Sequence, residues 1–173
     1  KHGIFPWFGS NDPLMWWSPD PRAIIYTDKV RVNKSLRKFL VKSTYSITFN
    51  QAFERVITAC ADENYRQDGT WILPEMNAAY SALHKRGFAH SVEVWQKHEL
   101  VGGLYGVAIN GYFSGESMFH RTPNASKQAL VALCEKLQSQ GVNFIDCQMQ
   151  NPFLASMGCV EISRDEFFSL KDI

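Results

Sequence analysis

Two polar side chains lie two positions apart in an otherwise apolar stretch near the end of the chain, residues 143–150, which reads N-F-I-D-C-Q-M-Q. The stretch predicts a β-strand, on which alternate side chains share a face, so Asp146 and Gln148 point the same way. A carboxylate attracts positive charge and an amide accepts hydrogen bonds, so the pair could hold a polar substrate. The other interpretation is a polar pair at a strand edge, and the pattern alone favours neither.

Glu116, within S-G-E-S-M, is another carboxylate that could face a substrate, because small residues flank it in a predicted strand. On pattern alone, such a carboxylate is more often the structural partner of a buried arginine or of a backbone amide. Together with Asp146, however, it would suit a pocket that receives a guanidinium or an ammonium group.

A local basic patch stands out because the formal net charge of the whole chain is only +1. Between Lys29 and Lys42 the sequence has six basic residues and no acidic one. Lys34, Lys38 and Lys42 recur every four residues, which places them on one face of a predicted helix. A charged helix face is usually just solvated, but this one could also contact phosphates.

Composition predicts a globular domain without a metal or a membrane span. The 173 residues are 45% apolar, enough for one core, and no apolar run approaches the roughly 20 residues of a transmembrane helix. The four cysteines show no paired spacing, and the five histidines lack metal-ligand spacing. Thiols used as small hydrophobic groups on apolar helix faces, at Cys60 and Cys134, are typical of a reduced cytoplasmic protein.

Periodicity predicts an α+β fold, a mostly antiparallel sheet flanked by helices. Residues 1–21 look loop-rich, with three tryptophans, of which Trp16 and Trp17 are expected in the core together with Trp95. Thr48 and Gln51 predict a capping box before a helix through Cys60. Further helices are expected from Pro74 to Gly87, from Asn124 to Gly141 and after Ser163. A strand meander with an Asn110-Gly111 turn is expected between Gly87 and Asn124.

Eight short motifs occur in one order along almost the whole chain. They are G-I-F-P-W-F, W-W-S-P-D-P-R, D-G-T-W-I, H-S-V-E-V-W, L-V-G-G-L-Y-G-V, F-S-G-E-S-M-F, N-A-S-K and I-D-C-Q. Together they resemble the bacterial leucyl/phenylalanyl-tRNA–protein transferase family. The resemblance implies an acyltransferase fold like that of the GCN5-related N-acetyltransferases.

The resemblance also implies an activity. Such enzymes transfer Leu, Phe and, less readily, Met from aminoacyl-tRNA to the α-amine of proteins that start with Arg or Lys, which marks those proteins for the N-end rule pathway of degradation. They use no metal or coenzyme. A cytoplasmic, monomeric enzyme is therefore expected, whose partners are aminoacyl-tRNA and these proteins.

By the same resemblance, each candidate residue receives a role. Asp146 and Gln148 carry the chemistry and, with Glu116, bind the acceptor; Trp7 and Trp71 bind the terminal adenosine; and Lys34, Lys38 and Lys42 contact tRNA phosphates. Because an amide is barely basic, Gln148 is expected to position the amine, with Asp146 orienting Gln148 or attracting the acceptor's charge. The amino-acid pocket would be lined by Leu104, Phe113, Met118, Leu130, Leu133, Leu137, Ile145 and Tyr80.

Two other functions remain open at this point. One is a coenzyme A-dependent N-acetyltransferase, although residues 121–126, R-T-P-N-A-S, lack the phosphate-binding glycines of that superfamily. The other is a non-catalytic module that binds tRNA or protein N-termini. It follows from the expectation that residues 1–21 are a remnant of a small N-terminal domain and residues 22–173 form the catalytic domain.

Overall fold

A computed structural model defines residues 3–9, 12–62, 70–109 and 111–171. Within these residues the helices are α1 (Lys34–Lys42), α2 (Phe53–Ala61), α3 (Pro74–Lys85), α4 (Ala125–Ser139), α5 (Pro152–Ser156) and α6 (Arg164–Lys171). The strands are β1 (Phe5–Pro6), β2 (Trp16–Trp17), β3 (Arg22–Tyr26), β4 (Ser46–Phe49), β5 (Ala89–Gln96), β6 (Glu99–Ile109), β7 (Tyr112–His120), β8 (Phe144–Gln148) and β9 (Val160–Ile162).

Seven strands form a central sheet in the spatial order β4-β5-β6-β7-β8-β3-β9. Its neighbouring strands are antiparallel except β7 and β8, which run parallel and are connected along the chain by α4. β1 and β2 pair with each other in a separate two-stranded ribbon. The prediction of a mostly antiparallel sheet in an α+β fold is thereby confirmed.

The predicted turn chemistry places most elements correctly. Pro74 occupies the first turn of α3, where its missing amide hydrogen costs nothing. Gly87 and Gly141, just past α3 and α4, both have positive φ, as predicted for residues that end helices. The side chain of Ser163 accepts a hydrogen bond from the backbone amide of Glu166 at the start of α6. In the predicted hairpin turn Gly111 has φ of 82°, whereas Asn110 lies outside the described residues.

Two local predictions were wrong. Thr48 does not cap α2, because it lies in β4 and its hydroxyl donates to the buried carboxylate of Glu93 instead. The same carboxylate accepts from the backbone amides of Gln51 and Ala52, so a neighbouring strand supplies the acceptors that a capping box would have provided. Trp16 is not a core residue either, since 62% of it is exposed on β2, and its neighbour Trp17 is also exposed.

Apolar residues cover both faces of the sheet because strand neighbours point to opposite sides. On one face Ala23 and Ile25 of β3 pack in a cluster with Leu36 of α1 and with α4. On the other face Ile24 packs with α6, while α2 and α3 form a further cluster against β5, β6 and β7. None of the helices in the described ranges is long and apolar enough to cross a membrane.

Candidate active site

A cavity of about 760 Å³ opens where β7 and β8 diverge. The two parallel strands are in register at Phe113 with Ile145 and at Ser114 with Asp146. Beyond these pairs β7 continues to His120, whereas β8 ends at Gln148, so the sheet opens between them. Strand ends, α4, α5 and β1 all contribute to the cavity wall.

Four polar side chains meet on one side of this cavity. The hydroxyl of Tyr80 in α3 donates to Glu116 Oε2 at 2.8 Å, and Gln148 Nε2 donates to the same oxygen at 3.4 Å. The hydroxyl of Ser114 donates to the other carboxylate oxygen at 3.3 Å. Glu116 of β7 and Gln148 of β8 are therefore in direct contact, and both line the cavity.

Burial raises the pKa of Glu116 from 4.5 to about 7, against the lowering effect of hydrogen bonds from Tyr80 and Gln148. The negative charge of Asp146 raises it further. Glu116 can therefore change its charge near neutral pH. Burial, followed by the charge of Glu116, raises the pKa of Tyr80, so Tyr80 remains a hydrogen-bond donor to the carboxylate.

Asp146 lies behind this wall and does not reach the cavity. It is 1% exposed, and its two oxygens accept hydrogen bonds from Nε and Nη2 of Arg22 at 2.8 and 2.7 Å. The expectation that Asp146 contacts the acceptor directly is therefore corrected. Arg22 already supplies the positive charge that would pair with the Asp146 carboxylate. The structure instead favours the alternative in which Asp146 orients Gln148.

Gln148 reaches the cavity through an irregularity in β8. Two steps along β8, from Asp146 to Gln148, are opposed by one step on β3, from Ile24 to Ala23, so Cys147 is the extra residue of a β-bulge. Gln148 itself has φ of 66°, a left-handed conformation that costs about 1–3 kcal/mol for a residue with a side chain. Its backbone amide donates to Asp146 Oδ1 at 2.9 Å, which stabilises this conformation.

The apolar part of the cavity contains most of the residues predicted for the amino-acid pocket. Those that line it as expected are Leu104, Met118, Leu130, Leu133 and Ile145. Phe113 and Leu137 differ, because they are not part of the cavity wall and pack in the buried cluster that includes α4. Tyr80 also differs, since its ring packs on Tyr105 and its hydroxyl donates a hydrogen bond to Glu116.

Sequence reasoning missed several wall residues, chiefly from elements it did not predict. Phe153 and Leu154 come from α5, a single-turn helix, and Phe5 comes from β1. The only sequence signal for α5 was Asn151 followed by proline, and the side chain of Asn151 does accept from the amide of Leu154 at 2.8 Å.

The two indoles singled out for stacking lie at the cavity. Trp7 follows β1 and is 42% exposed, and Trp71 precedes α3; both line the wall. The ring of Trp71 packs edge-on against Tyr80, and that of Trp7 packs edge-on against Trp17, whose indole nitrogen donates to the Trp7 carbonyl oxygen at 2.7 Å. Both rings therefore have fixed positions, and Trp7 keeps an open surface.

Comparison with known families decides the relationship. The model of the leucyl/phenylalanyl-tRNA protein transferase family matches residues 24–172, and that of the family's N-terminal domain matches residues 1–20. The chain belongs to the leucyl/phenylalanyl-tRNA protein transferase family. A transferase of this name from Colwellia psychrerythraea is 61% identical over 172 residues, covering 96% of this chain and 71% of that protein. Another, from Shewanella pealeana, is 52% identical, covering 98% of this chain and 72% of that protein.

Solved structures support the fold that the family resemblance implied. A GCN5-related N-acetyltransferase from Kribbella flavida superposes with a TM-score of 0.52 at 12% identity, over 84% of this chain and 55% of that one. A conserved protein from Bacteroides thetaiotaomicron superposes with a TM-score of 0.56 at 15% identity, over 79% of this chain and 53% of that one. At these identities the likeness establishes the acyltransferase fold alone.

Three positions in the turn into α4 offer no free backbone amide to a coenzyme pyrophosphate. The amide of Arg121 donates to Val101 at 2.7 Å, that of Ala125 donates to Thr122, and Pro123 has no amide hydrogen. Ala125 is fully buried against Gly102, where an added methyl group would lie 2.5 Å from it. At these positions the local geometry, like the missing glycines of residues 121–126, disfavours a phosphate-binding turn.

The basic helix of this family member faces solvent as predicted. Asn33 caps α1, Leu36 anchors it in the core, and Lys34, Lys38 and Lys42 are all exposed. For metal binding, no cluster of three or more histidine, cysteine, aspartate or glutamate side chains exists among the residues that the structure describes.

Proposed function

We propose that the protein transfers Leu, Phe and, less readily, Met from aminoacyl-tRNA to the α-amino group of proteins whose first residue is Arg or Lys. The observation that carries the proposal is one cavity that combines two indoles, an apolar wall and the Glu116–Gln148 pair. Family membership supports the reaction class, since the relatives are named as transferases that act with leucyl- and phenylalanyl-tRNA.

The donor end of the cavity suits an aminoacyl adenosine. Trp7 and Trp71 offer π-faces to the terminal adenine, and base stacking on an aromatic ring contributes about 1–3 kcal/mol. Leu104, Leu130 and Leu133 offer only apolar surface to the side chain of the amino acid, which excludes charged residues. The ester carbon between adenosine and side chain would then face Gln148 and Glu116.

The acceptor end needs a group for positive charge and a group for the amine. Among the described residues Glu116 contacts neutral donors, so its carboxylate can still compensate an incoming cation. Gln148 presents its amide at the cavity, where the carbonyl oxygen can accept a hydrogen bond from the acceptor amine. Both groups come from strands, which hold them more rigidly than loops would.

The reaction itself requires little more than alignment. The neutral amine nitrogen attacks the ester carbonyl carbon, a C–N bond forms, and the C–O bond to the ribose breaks. One proton passes from the nitrogen to the departing ribose oxygen, so the products are an amide and a free tRNA hydroxyl. Because the ester is already activated, holding the amine against it can supply much of the rate.

We further propose that the enzyme is cytoplasmic and monomeric, that it needs neither metal nor coenzyme, and that its products enter the N-end rule pathway. Residues 1–21 would be part of a small N-terminal domain and residues 22–173 the catalytic domain. Cys60 and Cys134 are both buried in the core, and Cys134 forms no disulfide, which suits a reducing compartment.

Incubation with radiolabelled Phe-tRNA and a protein that starts with Arg tests the proposal. We expect label in that protein and none in the same protein with an acetylated N-terminus, since acetylation removes the nucleophile. Absence of label together with saturable binding of acetyl-coenzyme A would favour the N-acetyltransferase alternative. Binding of Phe-tRNA without transfer would favour a non-catalytic module.

Replacing Gln148 with alanine should lower kcat for transfer by about tenfold, the effect of losing one hydrogen bond that orients the amine. Steady-state kinetics with an Arg-starting peptide would measure it. Gln150→Ala is the matched control, because Gln150 is exposed and its amide donates to the Cys159 carbonyl oxygen at 3.4 Å, away from Glu116. Near-wild-type turnover in Gln148→Ala would remove Gln148 from the mechanism.

The three lysines of α1 should make tRNA binding sensitive to salt. Changing Lys34, Lys38 and Lys42 to glutamine should reduce the slope of log affinity against log salt by about 2–3, close to one unit per lost phosphate contact. Filter binding at several salt concentrations would measure the slope. The control changes the same total charge elsewhere, at the exposed residues Lys85, Lys97 and Lys136, and should leave the slope intact.

A further inference from the structure

Arg22 is the largest side chain among the fully buried residues that the structure describes. It is the first residue of β3, and its guanidinium carbon lies 5.2 Å from the ring centre of Phe5 and 4.7 Å from that of Phe167. Phe5 also lines the cavity, and Phe167 belongs to α6. Two aromatic rings therefore hold the guanidinium in one plane directly behind the cavity wall.

The Arg22 guanidinium makes a bidentate contact with the Asp146 carboxylate. Nε donates to Oδ1 and Nη2 donates to Oδ2, so the carboxylate cannot rotate without breaking a charge-assisted hydrogen bond. A lysine in this position could not make the same two-point contact, because its charge is a single point.

The fixed carboxylate in turn holds the backbone of Gln148. Oδ1 of Asp146 accepts from Arg22 Nε and also from the Gln148 amide, at 2.9 Å. This contact closes the bulge at Cys147 and holds Gln148 in its left-handed conformation. From there the Gln148 side chain reaches Glu116. The contacts therefore run without interruption from Arg22 to the polar wall of the cavity.

We propose that Arg22 is a positioning residue for aminoacyl transfer, which fixes Asp146 and through it aims Gln148 into the cavity. The inference rests on the proposed function for its reaction, but not for its geometry. Arg22 itself touches no substrate. Its role is to set where the amide of Gln148 meets the acceptor amine.

Arg22 also sets the electrostatics of Glu116. The titratable groups that act on Glu116 are Tyr80 from α3 and Asp146 from β8, and Tyr112 on its own strand senses the same charges. The positive charge of Arg22 partly offsets the negative charge of Asp146, and the charge of Asp146 raises the pKa of Glu116. Without Arg22 that pKa should rise further, and an activity that needs ionised Glu116 should require a higher pH.

Two measurements on Arg22→Met test the proposal. We expect kcat to fall by about 10- to 100-fold while the affinity for a non-hydrolysable phenylalanyl-adenosine analogue changes little, as expected for a misplaced reacting group. The acid limb of the pH–rate profile should move to higher pH. Arg22→Lys, which keeps the charge, should leave the acid limb in place and recover only part of kcat.

Amide hydrogen exchange tests the position of the Gln148 backbone independently of transfer activity. In Arg22→Met the Gln148 amide should exchange at least about tenfold faster, because its acceptor is no longer fixed. The control is the amide of Thr27, which donates to Asn143 at 2.9 Å at the other end of the same strand pair. Equal acceleration at both amides would mean global destabilisation and would overturn the proposal.

The double variant Arg22→Met/Asp146→Asn covers the case in which Arg22→Met fails to fold. It leaves no unpaired buried charge, so stability should recover while kcat stays low and Gln148 exchange stays fast. Recovery of kcat together with stability would show a purely structural role. Arg164→Met, which breaks an exposed ion pair with Asp20, should change neither readout. If the wild type transfers nothing, the proposed function fails, and the exchange measurement still decides the inference.

Discussion

Replacing Asp146 with alanine should lower the free energy of unfolding by about 3–5 kcal/mol and remove most transfer activity, because it leaves a buried charge without its partner. The charge is that of Arg22, which is 2% exposed and lies between two aromatic rings. Most buried groups escape such a penalty by losing or gaining a proton, but a guanidinium cannot be deprotonated in a protein. The Gln148 amide would lose its acceptor in the same step.

Chemical denaturation monitored by tryptophan fluorescence would measure the loss of stability. The matched control is Asp20→Ala, which removes the partner of Arg164 from an ion pair that is 43% and 46% exposed. Exposed pairs contribute about 0–1 kcal/mol, so this control should unfold close to the wild type. A loss for Asp146→Ala no larger than for Asp20→Ala would show that Arg22 finds other compensation.

A second variant separates the charge from the packing. Changing Arg22 to methionine and Asp146 to leucine removes both charges, and such replacements of a buried ion pair are often neutral or stabilising. The double variant should therefore be more stable than Asp146→Leu alone, and a cycle completed with Arg22→Met alone should give a large coupling energy between the two positions. Activity should not return, since neither new side chain can accept from Gln148.

Elements that depend on neighbouring residues could be predicted from the sequence. Helices α3 and α6 follow from Pro74 at a first turn and from Ser163 three residues before Glu166, and both interactions are local. The capping box at Thr48 failed for the opposite reason. Its hydroxyl donates to Glu93, 45 residues away, and accepts from the indole nitrogen of Trp95, 47 residues away, and a local pattern shows neither partner.

The site shows the same division between local and long-range contacts. Family motifs predicted Trp7, Trp71, Glu116 and Gln148, and the fold brings all four to one cavity. Arg22 was missed as a site residue because its partner is 124 positions away and nothing local distinguishes a buried arginine from an exposed one. Its place next to an apolar strand was the only available signal.

Errors in the predicted pocket have a geometric cause. Phe113 and Leu137 have the right residue type and period for a cavity wall, but the sheet is still closed at Phe113 and opens only further along β7. Exposure of Trp16 likewise depends on how the ribbon of β1 and β2 lies on the domain. Periodicity predicts which face a residue occupies, and it cannot predict where two parallel strands separate.

These placements leave Glu116 as the carboxylate with the strongest claim on a positively charged acceptor. Asp146 is compensated by Arg22, whereas Glu116 contacts the neutral groups of Tyr80, Gln148 and Ser114. Changing Glu116 to glutamine should therefore raise KM for an Arg-starting peptide by about 10- to 100-fold, the loss of a charge-assisted hydrogen bond. The affinity for the phenylalanyl-adenosine analogue should change much less.

The pH dependence of the same variant is the sharper measurement. The wild type needs a neutral acceptor amine, with a pKa near 8, and an ionised Glu116, whose pKa burial raises to about 7. Below pH 7 the acceptor amine and Glu116 are both protonated, so log kcat/KM should fall with decreasing pH, with a slope approaching 2. Glu116→Gln removes one of the two titrations, so its slope should be about 1 over the same range.

The contribution of Glu116 to the free energy of unfolding should change with pH in the opposite sense to activity. The pKa of folded Glu116, about 7, lies above its ordinary value of 4.5, so folding favours the protonated form. This contribution to stability is fully present below pH 4.5 and is lost as the pH rises through 7. The wild type should therefore lose stability relative to Glu116→Gln between these two values, while its activity rises. Equal loss of donor and acceptor affinity in Glu116→Gln would place Glu116 in a purely structural role, and a stability difference independent of pH would contradict its raised pKa.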